Sequence, residues 1–501
     1  MKTYIQRIQR STNISVDLVL ALVIATIHLG VAIYYKEARN LDIMANPGQR
    51  DWDWWWQTIP VDLLLNDFWR SVWHMHFQPP IFNLYGALFF FAIPHSPLEG
   101  MHFGNILLGS LISGEIYLIL IKITKRRIFS FTVSLVLALD VGVFVYEAYI
   151  LYDILTLFLI ITSVTILTMY WETKKIYLAY LYLCTICLLV LTRSVYHLLI
   201  IPVGIALVAL YKPSQSKKLL LFGIIISLIP LGWYVKNYFV FGFFGASSWQ
   251  GLSLWKLASY DYTPEDLAEL KEMDLIHPLA AEIPVFSPAS EYIPYGFIQE
   301  SGIPLLNRDD QRNVNMIAIG QEYRNSALEM IKHDPSRFLK SLYLAYRIFN
   351  VPSERFKHHV VNTQKISTHV WLDADILQGY FLEYRYNIPV GSFYFLLVPL
   401  CPVIYVFGFI RNSCRKKKNP IAYLRDTLIE TWIIFLIIYT TTVGVLFEIG
   451  ENNRYKFYIE SLVIVYLCIV ASRYMPAIWE HVSRFIKYAN LRIPGVQKTI
   501  Q

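Results

Sequence analysis

Ten apolar runs separated by short charged loops limit what this chain can fold into. A helix needs about 20 mostly apolar residues to cross a bilayer. Such runs lie near residues 15–35, 102–121, 128–146, 152–170, 176–192, 195–211, 218–239, 388–410, 428–447 and 457–473. Of the 501 residues, 55% are hydrophobic and only 16% are charged, which is too apolar for a soluble globule. The sequence therefore predicts an all-α, polytopic membrane protein with about ten transmembrane helices.

The apolar run from Ile81 to Ile93 is short and bounded by prolines, so we interpret it as a helix in the membrane interface. With that run excluded, the basic clusters at 122–127, 174–175, 212–218 and 411–418 all share the side of the N-terminus. Positive loops mark the cytoplasmic side, so both termini are expected there. The net charge of +7 thus reflects membrane topology, and nucleic acid is not an expected partner.

This topology divides the chain into three expected parts. Residues 1–239 form an N-terminal transmembrane module with a first outward loop at 36–101, residues 240–387 form an outward subdomain, and residues 388–501 form a C-terminal transmembrane module. In the subdomain, helices are predicted over 316–332 and after Asp334-Pro335, and an irregular loop over 260–310. The five cysteines offer no disulfide framework. Outward loops without Asn-x-Ser/Thr favour a bacterial plasma membrane over the endoplasmic reticulum.

The first outward loop combines carboxylates with indoles. Asp51 and Asp53 alternate with tryptophans in the run 51–56, next to a hydrophobic span. A carboxylate in a partly dry, aromatic cleft is a good general base for an alcohol. The alternative is an interfacial tryptophan belt with solvated aspartates. The Asp-x-Asp spacing leaves a divalent cation open, but no cofactor or metal ligand set is assigned.

Two more groups of polar residues occur at outward ends of the spans. Glu147 and Asp153 flank one junction, where Asp153 could also serve as a helix cap. Asp140 lies deeper and is expected to pair or hydrogen-bond within the bundle. Outward cations imply an anion to hold, and a phosphate is the natural choice. These candidate phosphate-binding residues are Arg193, Lys236 and Arg454, although Arg454 could instead pair with Glu451 at i,i+3 spacing.

Several motifs, in order, resemble the GT-C superfamily of membrane glycosyltransferases, which includes protein O-mannosyltransferases and aminoarabinose transferases. Those motifs are Asp51-Trp52-Asp53, the His76-to-Asn83 segment with Pro79-Pro80, Tyr146-to-Leu155, Thr192-Arg193, Trp233-to-Tyr238 and Glu451-to-Phe457. Lys236 stands where the family commonly has arginine, and the family's proline after Arg-Tyr is missing here. The resemblance also implies substrate-binding roles for His76, Glu147, Asp153, Asn237 and Glu451.

The resemblance implies transfer of a sugar from a polyprenyl-phosphate donor to a hydroxyl of a protein, lipid or glycan acceptor on the outer membrane face. Asp51 or Asp53 would be the base, and inversion at the anomeric carbon would follow. Two other functions fit a chain of this kind: a transporter or flippase of a lipid-linked or anionic solute, and a polysaccharide polymerase or ligase. Release of lipid phosphate on adding acceptor distinguishes a transferase from a transporter, which releases none. Alanine scanning of the 240–387 loop, compared with substitution of Asp51, distinguishes a transferase from a polymerase or ligase.

Overall fold

The computed structural model describes residues 2–43, 52–297, 315–356, 358–367, 384–385, 388–389, 394–416 and 420–490. In the N-terminal half the helices are α1 Lys2–Ala38, α2 Val61–Asn66, α3 Phe68–His74, α4 Ile81–Ala92, α5 Pro97–Thr124, α6 Arg127–Ala138, α7 Val141–Ala148, α8 Asp153–Thr173, α9 Ile176–Thr192, α10 Ile200–Tyr211 and α11 Ser216–Phe241.

The outward subdomain and the C-terminal part follow. Their helices are α12 Gln250–Ala258, α13 Pro264–Glu272, α14 Pro278–Glu282, α15 Ala289–Tyr292, α16 Met316–His333, α17 Pro335–Phe349, α18 Val360–Ser367, α19 Tyr394–Lys416, α20 Pro420–Asp426, α21 Leu428–Leu446 and α22 Asn452–Asn490. Two short strands, β1 Tyr384–Arg385 and β2 Ile388–Pro389, pair antiparallel. The prediction of an all-α membrane protein is confirmed.

Each of the ten predicted spans corresponds to a helix or helix pair in the structure. Among the described residues, seven helices have the length and apolarity to cross a membrane, and the pair α6 and α7, bent by 44° at its break, makes eight if it is counted as one span. The helices α9 and α10 are apolar but shorter than 18 residues. The helix α4 has 12 residues, about 18 Å of helix and the same length as α10, so its helix length alone does not distinguish the predicted interfacial helix from the shortest predicted span.

The bend between α6 and α7 has a local cause. Asp140 has extended backbone there, and its side chain accepts a hydrogen bond from Gly142 N at 2.8 Å, which caps α7. An aspartate that caps a helix inside a span satisfies backbone donors that would otherwise be unpaired in hydrocarbon. The expectation that Asp140 hydrogen-bonds within the bundle is therefore confirmed.

The helix α5 lies at the centre of the N-terminal bundle, packed against α1, α6 and α8. Glycines on α5 permit this close approach: a Cβ at Gly109 would lie 1.9 Å from Glu147 Oε1, and one at Gly114 would lie 3.1 Å from Ala21 O. Small residues at helix contacts are a common means of packing in membranes, where van der Waals contact replaces the hydrophobic effect.

The outward subdomain has an apolar core of its own, built from residues between Leu252 and Met330. The helices α12 and α16 touch through glycines, since a Cβ at Gly251 would lie 1.8 Å from Gly320 O. The predicted helix over 316–332 is confirmed as α16, and α17 begins as predicted, with Asp334 accepting from Ser336 N and Arg337 N at 3.1 Å.

The prediction of an irregular loop over 260–310 is wrong in part. Within it, α13 begins with a capping box between Thr263 and Asp266 and has proline at its first position. His277 caps α14 through its Nδ1, which accepts from Leu279 N at 3.1 Å, and proline again follows the cap. Prolines that looked like breakers therefore start short helices, because the missing N–H at the first turn has no partner in any helix.

Candidate functional site

A cavity of about 890 Å³ lies where the ends of α8, α9 and α21 meet the first loop and the predicted outward subdomain. The first loop contributes residues 53–57 and Gln78, and the subdomain contributes Ser247, Trp249, Gln250, Ser253, Lys256, Phe286, Pro288 and His358. The spans and the turns at their ends contribute Tyr152, Arg193, Ser194, Val195, His197, Val443, Phe447, Glu448, Glu451, Arg454 and Tyr455. Stretches that lie far apart in the sequence thus build one site.

A buried ion cluster forms one wall of this cavity. Asp153, the first residue of α8, has no exposed surface and accepts from Arg193 Nη1 at 2.9 Å. Arg454 donates to both oxygens of the same carboxylate, from Nε at 2.9 Å and from Nη2 at 2.7 Å. Tyr458 also donates its hydroxyl to Asp153. A bidentate pair of this kind fixes the plane of the Arg454 guanidinium.

Arg193 and Arg454 share the one buried carboxylate of Asp153. Arg193 also lies over the rings of Tyr152, Tyr455 and Tyr458, with its Cζ 4.4, 4.7 and 4.9 Å from their centroids. Arg454 contacts one further carboxylate, Glu451, at 3.4 Å, on a side chain that is 26% exposed. With Glu451 included, the two arginines and two carboxylates carry no net charge, but Arg193 and Arg454 both line the cavity, where further N–H groups of each guanidinium can donate to an anionic group.

Local structure explains why these residues meet. The apolar run from Val195 does not begin as a helix, because residues 193–200 form turns, with Tyr196 N bonded to Arg193 O and Ile200 N to His197 O. Tyr439 of α21 secures this turn by donating to Val195 O at 2.9 Å and accepting from His197 N at 2.8 Å. The shortness of α10 is the consequence, and Arg193 stays at the cavity.

Asp53 is the predicted base that the structure places in the cavity lining. It lies in a 3-10 turn, Trp52–Trp54, and its Oδ1 accepts from Val61 N at 2.8 Å. Trp52, buried beside it, donates from its indole to Ile59 O and stacks on Phe82 of α4. The interfacial helix thus supports the turn that presents Asp53. Asp51 lies outside the described residues.

Lys236, Asn237 and His76 lie together in a second cluster behind the cavity lining. Lys236 donates to Met75 O at 2.5 Å and lies 3.6 Å from the Trp233 ring centroid, and Asn237 donates to Gly245 O at 2.7 Å. His76 Nδ1 lies 2.8 Å from Ser248 Oγ. These contacts tie residues 75–78 to residues 245–248, so they support a role in holding Gln78 at the cavity, where its Oε1 accepts from Ser194 N at 3.3 Å.

Glu147 is placed elsewhere again, inside the bundle. It pairs with His28 of α1 at 2.7 Å, and both side chains are at most 1% exposed. His28 in turn contacts Ala138 O at 2.6 Å, at the end of α6. This pair joins α1 to the bent span, and Glu147 does not line the described part of the cavity.

Two buried histidines near the site, His76 and His359, stay neutral in this environment. Burial, helped by the charge of Lys236, lowers the pKa of His76 to about 3. Burial likewise lowers the pKa of His359, which packs on Tyr146 at 4.2 Å, to about 3. Across the described ranges, no three His, Cys, Asp or Glu side chains are grouped so that they could hold a metal ion.

Several lining residues were not among the predicted site residues. Lys256 of α12 forms an ion pair with Glu448, and Trp56, Trp249 and Phe286 line the same cavity. Gln78 falls inside the His-x-x-Pro-Pro segment, so its sequence neighbours offered a signal. Phe286 offered none, because it lies in the stretch that the sequence marks only as irregular.

A second cavity, of about 640 Å³, is lined by residues from α1, the first loop, α4 and the start of α5. Its lining includes Lys36, Trp52, Glu99 and His102, and Lys36 pairs with Glu99 at 2.9 Å. Trp52 faces this second cavity, whereas its neighbour Asp53 lines the first. The turn that carries Asp53 therefore separates the two.

Comparison with known proteins gives three findings. Residues 78–248 match the model of the dolichyl-phosphate-mannose-protein mannosyltransferase family, a stretch that includes Asp153 and Arg193. The comparison with curated proteins found no match. Among solved structures, the oligosaccharyltransferase of Archaeoglobus fulgidus in its apo form aligns at 11% identity with a TM-score of 0.41, over 94% of this chain and 52% of that one.

The chain thus spans about half the length of that oligosaccharyltransferase chain. The family match covers the segment from the interfacial helix to the start of the outward subdomain, where the sequence motifs had pointed. It confirms the resemblance to the GT-C superfamily: this is a multi-pass, all-α membrane protein that is similar to the membrane glycosyltransferases of that superfamily.

Proposed function

We propose that the protein transfers a sugar from a polyprenyl-phosphate donor to an acceptor hydroxyl on the outer face of the membrane, with inversion and with Asp53 as general base. The observation that carries this proposal is the cavity of about 890 Å³, which brings Asp53 together with Arg193 and Arg454 from distant parts of the sequence. The family match over residues 78–248 supports the same class of reaction.

The arginines are the proposed phosphate-binding residues. Planar guanidinium groups bind phosphate oxygens in pairs, and Asp153 already holds the Arg454 guanidinium in one orientation. The residues Val195, Val443 and Phe447 line the cavity on the side of the spans, and Phe447 is 45% exposed. An apolar lining beside two cations fits a lipid that carries a phosphate.

The chemistry follows from charge and position. The Asp53 carboxylate accepts the proton of the acceptor hydroxyl while the oxygen forms a bond to the anomeric carbon. The bond between that carbon and the phosphate oxygen breaks, and its electrons leave with the polyprenyl phosphate. Arg193 and Arg454 stabilise the charge that develops on this leaving group. Fixed hydrogen-bond donors that contact a developing negative charge contribute about 3–4 kcal/mol each to stabilisation of the transition state in comparable sites.

Acceptor-dependent release of lipid phosphate tests the proposal against a transporter. We expect the full chain in nanodiscs to convert undecaprenyl-phosphate mannose or undecaprenyl-phosphate glucose to free undecaprenyl phosphate when a membrane extract supplies acceptors. The released lipid and the transferred sugar are measured by thin-layer chromatography of a radiolabelled donor. Movement of intact donor across proteoliposome membranes without release would contradict a transferase.

The Arg193→Gln variant sharpens the same experiment. Loss of the Arg193 cation weakens both binding of the lipid donor and stabilisation of the leaving phosphate. Release of lipid phosphate should therefore fall by roughly 100-fold, the usual effect of removing one such hydrogen-bond donor. Arg70→Gln is the matched control, because Arg70 is an exposed arginine of the first loop whose contact with Asp67 is 3.7 Å long. Equal loss in both variants would point to a general effect of removing positive charge.

A further inference from the structure

Three aromatic rings form a continuous wall on the outward side of the cavity. Phe286 meets Trp56 at 6.3 Å and Trp249 at 5.1 Å between centroids, with interplanar angles of 85° and 64°. All three line the cavity. Trp56 and Trp249 also pack against the apolar core of the outward subdomain, so the rings have a rigid support.

The backbone of Phe286 points to a function for its ring. Its φ is +66°, in the left-handed region, which bulky residues rarely adopt and glycine adopts freely. The side chain is still 38% exposed, so burial of the ring does not account for the strain. Strained residues of this kind cluster where a ligand is held.

The polar groups beside this wall carry no surplus charge among the described residues. Gln57, Gln250 and Ser253 are neutral, and Lys256 and Glu448 pair with each other. The other cations of the cavity, Arg193 and Arg454, belong to the ion cluster with Asp153 and Glu451, and the proposed donor phosphate uses them. A phosphorylated acceptor would need further cations at the wall.

We propose that this wall binds the acceptor, and that the acceptor is a neutral saccharide; the inference rests on the proposed function. A sugar ring presents C–H groups on its face, which pack against aromatic rings, and hydroxyls at its edge, which bond to amides and hydroxyls such as those of Gln57, Gln250 and Ser253. Neither β1 nor β2 lines the cavity, so its described lining offers no strand edge to which an extended peptide could add.

Saccharide binding without donor tests this proposal apart from catalysis. The probes are neutral di- to tetrasaccharides of mannose, glucose and galactose, compared with a Ser/Thr-rich peptide, and binding to the full chain is followed by tryptophan fluorescence and by calorimetry. We expect one or more saccharides to bind and the peptide not to. Phe286→Gly and Trp56→Ala should each weaken saccharide binding by roughly 5- to 10-fold.

The variants are chosen to separate binding from folding. Glycine accepts the backbone of Phe286 without strain, so Phe286→Gly removes the ring and keeps the fold, as thermal unfolding will show. Trp69→Ala is the matched control, since Trp69 is 76% exposed on α3 and does not line the cavity. It should leave saccharide affinity unchanged.

Three results would overturn the proposal. They are binding of the peptide with no saccharide bound, saccharide affinity unchanged in both wall variants, and displacement of the saccharide by intact undecaprenyl-phosphate mannose in the Asp53→Asn protein, which would assign the wall to the donor sugar. Donor cleavage is measured in parallel. Cleavage with no saccharide binding rejects this inference and leaves the proposed function standing, whereas no cleavage with any acceptor rejects the proposed function itself.

Discussion

Replacing Asp53 by asparagine is expected to reduce sugar transfer by about 10²- to 10⁴-fold, the range for loss of a positioned general base. Asparagine cannot accept the hydroxyl proton at neutral pH. Its side-chain oxygen can still accept from Val61 N, the bond that the Asp53 carboxylate makes at 2.8 Å, so the turn should keep its shape. Transfer is measured with radiolabelled donor, and folding by size-exclusion chromatography and thermal unfolding.

Two further aspartates of the same loop make this experiment decisive. Asp67→Asn is the control, because Asp67 pairs only loosely with Arg70, at 3.7 Å, and does not line the cavity. Asp51→Asn tests the other predicted base. Full activity in both Asp51→Asn and Asp53→Asn would contradict an aspartate base in this loop.

Replacing Asp153 by asparagine is expected to destabilise the protein by about 3–5 kcal/mol, the usual effect of removing one partner of a buried ion pair. The change leaves Arg193 and Arg454, each at most 2% exposed, without their shared counter-charge. Since proteins are stable by only about 5–15 kcal/mol, folded yield and the thermal midpoint should both fall clearly. Transfer activity should fall as well, because Arg454 loses its orientation.

The controls for Asp153→Asn follow from exposure and charge. Glu451→Gln removes a partly exposed contact of Arg454, so its effect on stability should be about 0–1 kcal/mol. Adding Arg193→Gln to Asp153→Asn removes a buried cation whose ion pair with Asp153 is lost, and should recover part of the lost stability. A thermal midpoint of Asp153→Asn equal to that of the unchanged protein would show that the cluster does not hold the site together.

The helices were predictable because a backbone inside a membrane must form its hydrogen bonds within the protein, and few structures other than a helix allow that. Apolar runs long enough to span must become helices, and each of the ten runs contains a helix among the described residues. Their lengths were less predictable. The run after Arg193 loses its first turns to the loop that Tyr439 secures, and the run over 128–146 breaks where Asp140 caps α7. Both departures depend on single polar contacts that hydropathy does not register.

The candidate site was predictable in its charges and less so in its geometry. Their predicted position at the same ends of the spans grouped Asp53, Arg193, Arg454 and Glu451, and these four residues line one cavity. Position does not say which way a side chain faces, so Lys236 and Glu147 were grouped with them although they contact Met75 and His28.

Contacts between residues far apart in the sequence could not be predicted, for a related reason. Asp153 joins Arg193 and Arg454, which are 40 and 301 positions away. The aromatic wall has the same origin, since Trp56 and Phe286 meet only when the outward subdomain packs on the first loop. Contacts of this kind depend on the packing of whole segments, which local patterns do not specify.

The central claim is that Arg193 and Arg454 hold the donor phosphate across the cavity lined by Asp53. Cryo-electron microscopy of the full chain in nanodiscs with undecaprenyl phosphate tests it most directly. The account predicts phosphate density within hydrogen-bond distance, about 3 Å, of the Arg193 or Arg454 guanidinium. Phosphate density in the second cavity, beside Lys36 and His102 and on the far side of the Asp53 turn, would contradict it.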